Sequence, residues 1–262
     1  IHATGINTVD GITYQTKMIA GNQLDISAYK GNILAEGMIA QGNDINIISN
    51  GNTQISHFIR SGAPLGSTIN ATGDLIIASV KPDGGEVSLI SSSVKAEESV
   101  RLESAGTVLF MDLALGLTPK IEAGDLRIQG GSIVAPQGNF LASSGHASFI
   151  ATTGQLYFNA SPSSALQSPH IASVGNLILH GHQDVSLQGL TAFTEGGMAI
   201  TSASGEINGI NTTLTAKEIL SLSSLGSQKH EAGQYRSGAL VMYSQSGSLT
   251  TDNELEATGT TA

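Results

Sequence analysis

Large apolar side chains recur along the chain at a spacing of 21 residues. Between residues 154 and 244 one column of five such side chains consists of Leu156, Leu177, Met198, Ile219 and Leu240. Four of the five have a second apolar residue two positions later and a glycine two positions earlier. At Ile219 the pair Leu220 and Leu222 fits better, with a shift of one residue. A fixed period in the twenties is typical of a solenoid, in which each repeat buries its apolar face against its neighbours.

The N-terminal half has the same spacing with shifts of register. Leu126 follows Val108 after only 18 positions, and Leu156 follows Ala147 after only 9. Such shifts are expected if each turn contains more than one strand, and further apolar columns lie about nine and about 13 to 16 positions after the first. The pairs spaced by 21 positions in this half are Leu24 with Ile45, Val87 with Val108, and Leu126 with Ala147.

Three apolar columns per repeat predict three short strands per turn, and therefore an all-β, right-handed parallel β-helix. Apolar and polar residues alternate within segments such as 183–187, which places one face inward and one in solvent. Glycine fits the corners because it adopts positive φ or allows close approach. A right-handed coil is expected because most parallel crossovers have that hand. At about 21 residues per turn, we expect about 12 turns and a rod of roughly 60 Å.

Some stretches of the sequence fit this pattern of strand columns less well. Residues 94–103 and 215–222 also fit a turn or two of amphipathic helix, although both lie on or near the strand columns. Pro162 and Pro169 bracket a stretch that cannot form a central strand, because proline lacks the N–H donor. The segments predicted to be loops or insertions are those near 111–120, 160–170 and 222–236.

Composition and charge exclude several functions. The net charge of −10 argues against nucleic acid and anionic membranes as partners. The chain contains no run of about 18 apolar residues, so no transmembrane helix is predicted. Only 12% of residues are charged, and short polar side chains fill the exposed positions instead, as is typical of extracellular β-solenoids. The absence of cysteine fits export of an unfolded chain through an oxidising periplasm.

Three segments resemble haemagglutinin repeats. They share the pattern Gly-[Asp/Asn]-Leu-x-[Ile/Leu] and are Ala-Thr-Gly-Asp-Leu-Ile-Ile-Ala (71–78), Ala-Gly-Asp-Leu-Arg-Ile (123–128) and Ser-Val-Gly-Asn-Leu-Ile-Leu-His-Gly (173–181). The resemblance covers most of residues 20–255. It is a resemblance to the filamentous haemagglutinin family of Gram-negative two-partner-secreted exoproteins, which includes the contact-dependent growth inhibition effectors.

The resemblance implies a secreted filament on the bacterial cell surface that acts in virulence. An outer-membrane partner transporter would export it, and it would act as a rod or present contacts to a target-cell receptor, either protein or glycan, for adhesion or toxin delivery. It implies neither enzymatic activity nor a cofactor. Because no signal segment precedes Ile1 and neither a secretion-domain start nor a toxin domain is recognisable, we expect residues 1–262 to be one internal β-helical fragment.

His180, His182 and Asp184 form the cluster that most resembles a metal site. On one strand they would project from one face, where they would be close enough for a divalent metal ion. The simpler interpretation is that they are solvent-facing residues beside a turn glycine. One turn further on, Thr201 and Ala203 offer no good additional ligand.

The predicted loop at 222–236 contains the candidates for receptor contact. Exposed aromatic and arginine residues on a loop are typical anchors of a binding surface. The alternative is a mobile surface loop without such a role. The candidate residues are Lys229, His230, Tyr235 and Arg236.

An acidic stretch supports a second hypothesis, a β-helical polysaccharide-degrading enzyme. Paired carboxylates can act as general acid and base in glycosidases. Such sites also need cations above a groove, and only Lys81, Lys95 and Arg101 lie nearby in sequence. A solvated face is the simpler explanation of this stretch. Its carboxylates are Asp83, Glu86, Glu97, Glu98 and Glu103.

Overall fold

The computed structural model describes residues 2–4, 6–9, 12–15, 17–60, 63–113, 117–159 and 168–259. Across these residues the chain is an all-β parallel solenoid of about ten turns, with about 22 residues per turn and no helix. The predicted fold class is therefore confirmed. Strands occupy most of residues 94–103 and all of 215–222, so the helical alternative at both places is wrong.

Three columns of parallel strands form the walls of the solenoid. Column A contains β4 (Lys17–Ile19), β7 (Ile39–Gly42), β12 (Thr68–Ala71), β15 (Ser93–Ala96), β18 (Lys120–Ala123), β21 (Asn139–Ala142), β24 (His170–Ser173) and β27 (Thr191–Thr194). Column B contains β5 (Gln23–Ala28), β8 (Asp44–Ser49), β13 (Leu75–Ser79), β16 (Ser99–Ser104), β19 (Asp125–Gly130), β22 (Ala147–Ala151), β25 (Leu177–Gly181) and β28 (Met198–Ser202). Column C contains β1 (His2–Thr4), β6 (Ile33–Glu36), β9 (Thr53–Ser56), β14 (Glu86–Ile90), β17 (Thr107–Met111), β20 (Ser132–Val134), β23 (Leu156–Asn159), β26 (Val185–Gln188) and β29 (Ile207–Ile210).

Longer strands continue the columns around the corners near the C-terminal end. They are β30 (Thr213–Ser224), which serves columns A and B, β31 (Gln228–Ser244), which serves all three, and β32 (Leu249–Ala257), which serves columns C and A. Two antiparallel hairpins lie outside the columns: β2 (Ile6–Val9) with β3 (Ile12–Gln15), and β10 (Phe58–Arg60) with β11 (Ala63–Leu65).

The strand registers show where the 21-residue period holds and where it does not. The spacing is 21 between Leu126 and Ala147, as predicted, and also between Leu177 and Met198. It is 30 between Ile45 and Leu75, because the hairpin of β10 and β11 lies within that turn. Turns of unequal length reduce their number from the 12 predicted to about ten. The other confirmed pairs are Leu24 with Ile45 and Val87 with Val108.

One predicted column combines residues from two walls. Leu156 belongs to column C and pairs with Val185, whereas Leu177 belongs to column B and pairs with Ala147. The error arises because the turn from Ala147 to Leu177 contains 30 residues rather than 21. The one-residue shift to Leu220 is confirmed, since this residue pairs with Met198.

The three predicted insertions have different outcomes. The predicted loop at 222–236 is wrong, because β30 and β31 cover most of it and continue the parallel columns. Most of the segment near 160–170 lies outside the described residues. Its residues 168 and 169 are described, and they directly precede β24. The segment near 111–120 lies at the connection between β17 and β18, and its residues 114–116 are also outside the described residues.

Apolar side chains fill the interior, and in most strands inward and outward positions alternate. In β25, Leu177 and Leu179 are fully buried, while Ile178 between them is exposed. Four phenylalanines, one after another along the core, pack edge to face with ring centroids 4.9, 5.2 and 5.4 Å apart. Such pairs add about 0.5–1.5 kcal/mol each beyond their buried area. The rings belong to Phe110, Phe140, Phe149 and Phe158.

Corners are held by hydrogen bonds from one turn to the next. Asp125 Oδ1 accepts the backbone N–H of His146 at 2.7 Å, and His146 Nδ1 accepts that of Asn176 at 2.8 Å. Asn176 Oδ1 then accepts the N–H of Gly197 at 2.9 Å. A side chain at the entry to column B thus accepts the hydrogen bond of a backbone donor in the following turn.

Candidate functional site

The structure places the predicted receptor-contact residues in the regular part of the solenoid. All four lie in β31, where His230 and Tyr235 point inward and are fully buried. Lys229 and Arg236 point to solvent, and each forms an ion pair with a glutamate, at 2.9 and 3.2 Å. The prediction that the four residues form one exposed loop surface is therefore wrong, because the inward–outward alternation of a strand separates them.

His230 is the centre of a polar network inside the core. Its Nε2 lies 3.2 Å from Gln228 Oε1, and its Nδ1 lies 2.7 Å from the Tyr235 hydroxyl. Since Gln228 Oε1 only accepts, Nε2 carries the hydrogen of a neutral imidazole and Nδ1 accepts from the hydroxyl. Burial lowers the pKa of His230 to about 4 and raises the pKa of Tyr235. The 21-residue spacing from the inward residue Ile207 to Gln228 is the sequence signal that would have placed this network inside.

The predicted metal cluster is divided by a corner. His180 lies near the end of β25, whereas His182 and Asp184 lie between β25 and β26. His180 Nδ1 contacts Thr201 Oγ1 at 2.7 Å, and burial together with the nearby His182 imidazole lowers the pKa of His180. Asp184 Oδ1 accepts the N–H of Glu206 at 2.9 Å. Nowhere among the described residues do three or more His, Cys, Asp or Glu side chains gather in a way that would hold a metal ion.

The acidic stretch is distributed over different walls. Glu86 begins β14 in column C, Glu103 lies in β16 in column B, and Glu97 lies in the corner before β16. Lys95 on column A bonds to Glu122 at 2.7 Å, and this hydrogen bond raises the pKa of the lysine and lowers that of the carboxyl group. The stretch therefore does not form one row of carboxylates.

A groove on the outer side of column B combines both signs of charge. We call it the face-B groove; it has a volume of about 480 Å³ and spans β13, β16, β19 and β22. Two rows of side chains line it across successive turns. The first row is Asp74, Ser99, Asp125 and His146, and the second is Ile76, Arg101, Arg127 and Ser148.

Arg101 and Arg127 are direct register partners on neighbouring strands. Their backbones are therefore about 4.8 Å apart, and both side chains are exposed. Within the described part of the chain, neither has a carboxylate within 4.0 Å, although Arg127 donates to Gln129 Oε1 at 2.6 Å. Like charges placed side by side on adjacent strands are destabilising. The pair thus presents two guanidinium groups with unused donors to solvent.

The carboxylates of the first row are held in place by the solenoid. Asp125 Oδ1 accepts the backbone N–H of His146 at 2.7 Å, and Asp74 Oδ1 accepts from the Ser99 hydroxyl. Because both bonds use Oδ1, each Oδ2 atom can accept a donor from solvent or from a ligand. The sequence did not reveal this row, since its members are separated by 25, 26 and 21 residues rather than by one fixed period.

The fold and the groove define the chain as a parallel β-solenoid with a polar, charged lateral groove. Comparisons with protein-family models, with curated proteins and with solved structures found no match. A search of the described residues for membrane-spanning helices found none.

Proposed function

We propose that this chain is a rod segment of a secreted cell-surface filament, of the filamentous haemagglutinin kind, that presents its lateral walls to ligands on target cells. The observation that carries the proposal is the stack of parallel columns, in which each turn pairs with the turns before and after it. Such nearest-neighbour stacking forms an extended body whose side walls are available for contact. The resemblance of the Gly-Asp/Asn-Leu segments to haemagglutinin repeats supports the same assignment.

The mixed charge of the face-B groove favours a second candidate, a polysaccharide-degrading enzyme. Asp74 and Asp125 lie two strand spacings apart, about 10 Å between their backbones. A glycosidase needs one carboxyl group that its surroundings keep protonated, commonly by burial, as the general acid. Both aspartates are exposed. Exposure favours a binding groove over a hydrolytic site.

The proposal includes partners outside the chain. A filament of this kind would be exported by an outer-membrane partner transporter and would contact a protein or glycan receptor on the target cell. It would need neither a cofactor nor a metal ion. Toxin delivery would then be a property of the whole filament, with this segment acting as spacer or contact surface.

Binding to cells tests the proposal. The purified chain, labelled with a fluorophore, is added to bacterial and to host cells, and bound fluorescence is measured with increasing unlabelled chain. We expect saturable binding to at least one cell type that the unlabelled chain displaces. Heat-unfolded labelled chain serves as the control for nonspecific adhesion. Failure of the folded chain to bind either cell type more than the control would contradict a contact role.

The enzyme hypothesis is tested with the same preparation. Neutral and acidic polysaccharides are incubated with the chain, and new reducing ends are measured over time. We expect no increase above the rate without protein. A protein-dependent increase that is lost in Asp74→Asn or Asp125→Asn would replace the rod proposal with the enzyme.

A further inference from the structure

We infer that the face-B groove binds a saccharide unit that carries a carboxylate, such as a uronic acid residue of a cell-surface glycan. The inference rests on the proposed function, since it names the class of ligand that the lateral wall would contact. It is carried by the two rows of the groove, which offer complementary chemistry to the two kinds of polar group on such a sugar.

The second row supplies the site for the carboxylate. Arg101 and Arg127 stand side by side on adjacent turns, with backbones about 4.8 Å apart. A guanidinium group donates two parallel N–H bonds to a carboxylate, and such charge-assisted bonds are roughly twice as strong as neutral ones. A bound carboxylate would also relieve the repulsion between the two arginines, because like charges on adjacent strands are destabilising.

The first row supplies acceptors for the sugar hydroxyls. Asp74 and Asp125 alternate with Ser99 along the stack, and their Oδ1 atoms are already engaged by Ser99 and His146. Each Oδ2 atom then remains as an acceptor on a residue that lines the groove, and an ionised carboxylate accepts readily from a hydroxyl donor. The two rows run in parallel, so a ring lying between them can use both.

Charge balance selects against a densely sulfated chain. Two arginines are offset by two aspartates in the groove, and Glu103 lies two residues beyond Arg101 on the same strand. Many sulfates would therefore meet carboxylates as well as guanidinium groups, and like-charge contacts oppose binding. One carboxylate per disaccharide fits this pattern better.

The test uses hexasaccharides of defined charge and calorimetric titration of the purified chain. A hyaluronan hexasaccharide carries carboxylates without sulfate, its carboxyl-reduced form is neutral, and a heparin hexasaccharide is densely sulfated. We expect binding of the first, at least tenfold weaker binding of the second, and no tighter binding of the third. The double variant Arg101→Gln/Arg127→Gln should bind the first hexasaccharide at least tenfold more weakly.

Arg236→Gln is the matched control, because Arg236 is an exposed arginine on column A with its charge already paired. It should leave hexasaccharide binding unchanged. Undiminished binding by the double variant, tighter binding of heparin, or no binding of hyaluronan hexasaccharide by the wild-type chain would each overturn the inference. If the double variant still binds cells like the wild type, the contact function stands and only the assignment of its ligand fails.

Discussion

At the scale of single residues, His230 is the most unusual member of the core. Its ring packs against Tyr235 with centroids 5.3 Å apart, in an interior that is otherwise mostly aliphatic and phenylalanine. Both ring nitrogens have hydrogen-bond partners, so the neutral imidazole is stable there, whereas a charged imidazolium would be desolvated. The cost of protonation makes the stability of this region depend on pH.

We predict that acid destabilises the C-terminal turns through His230. The folded pKa of about 4 lies below the ordinary value of 6.5, so the stabilisation is complete above pH 6.5 and is lost as pH falls toward 4. Between pH 7 and pH 5 the free energy of unfolding should therefore fall by about 2 kcal/mol. Denaturant unfolding and amide exchange of residues 228–237 at both pH values measure it.

His230→Gln provides the control for this pH effect, because glutamine keeps a polar side chain but does not titrate. The variant should be less stable at pH 7, and its stability should change less between pH 7 and pH 5 than that of the wild type. An equal change in both proteins would assign the acid sensitivity to the carboxylates instead.

At the scale of the strand and its corner, the glycines before the apolar columns allow the backbones of neighbouring turns to approach each other closely. Gly106 and Gly154, which stand two positions before Val108 and Leu156, lack a left-handed φ, whereas Gly31 and Gly84 have one. A Cβ atom at Gly106 would lie 2.1 Å from the carbonyl oxygen of Gly85 in the turn below. The sequence left both explanations open, because a repeat pattern shows where glycine occurs and not what surrounds it.

Gly106→Ala should therefore destabilise the solenoid by a few kcal/mol, since backbone of the neighbouring turn must move to admit the methyl group. Gly21→Ala is the matched control, because a Cβ there has nothing within 4 Å and its φ is not left-handed. We expect the control to stay within about 0.5 kcal/mol of the wild type in denaturant unfolding. Equal stability of the two variants would contradict close approach as the reason for this glycine.

At the scale of the whole molecule, the sequence predicted the kind of fold better than its register. Alternation within 183–187 identified Val185 and Leu187 correctly as inward residues, because burial on one face is a local property of a strand. The assignment of Leu156 to a wall depended on the length of the turn after Ala147, which no local pattern reports. The face-B groove was missed for the same reason, since its residues meet only through turns of 25, 26 and 21 residues.

Stacking of turns also determines how far the destabilising effect of a core substitution extends along the solenoid. Phe149 lies in the middle of the aromatic series, between the rings of Phe140 and Phe158. Truncation of a buried phenylalanine to alanine typically costs about 3–5 kcal/mol. Because each turn is stabilised mainly by its immediate neighbours, Phe149→Ala should lower amide-exchange protection in the turns around β22 and much less at β5 and β30.

Ile150→Ala is the control for this last prediction, since Ile150 is the next residue of β22 and points outward. It should change protection little in any turn. Hydrogen-exchange mass spectrometry resolves the turns separately. A loss of protection in Phe149→Ala that is equal in every turn would show that the solenoid unfolds as one cooperative unit, and that its stability is not a sum over neighbouring turns.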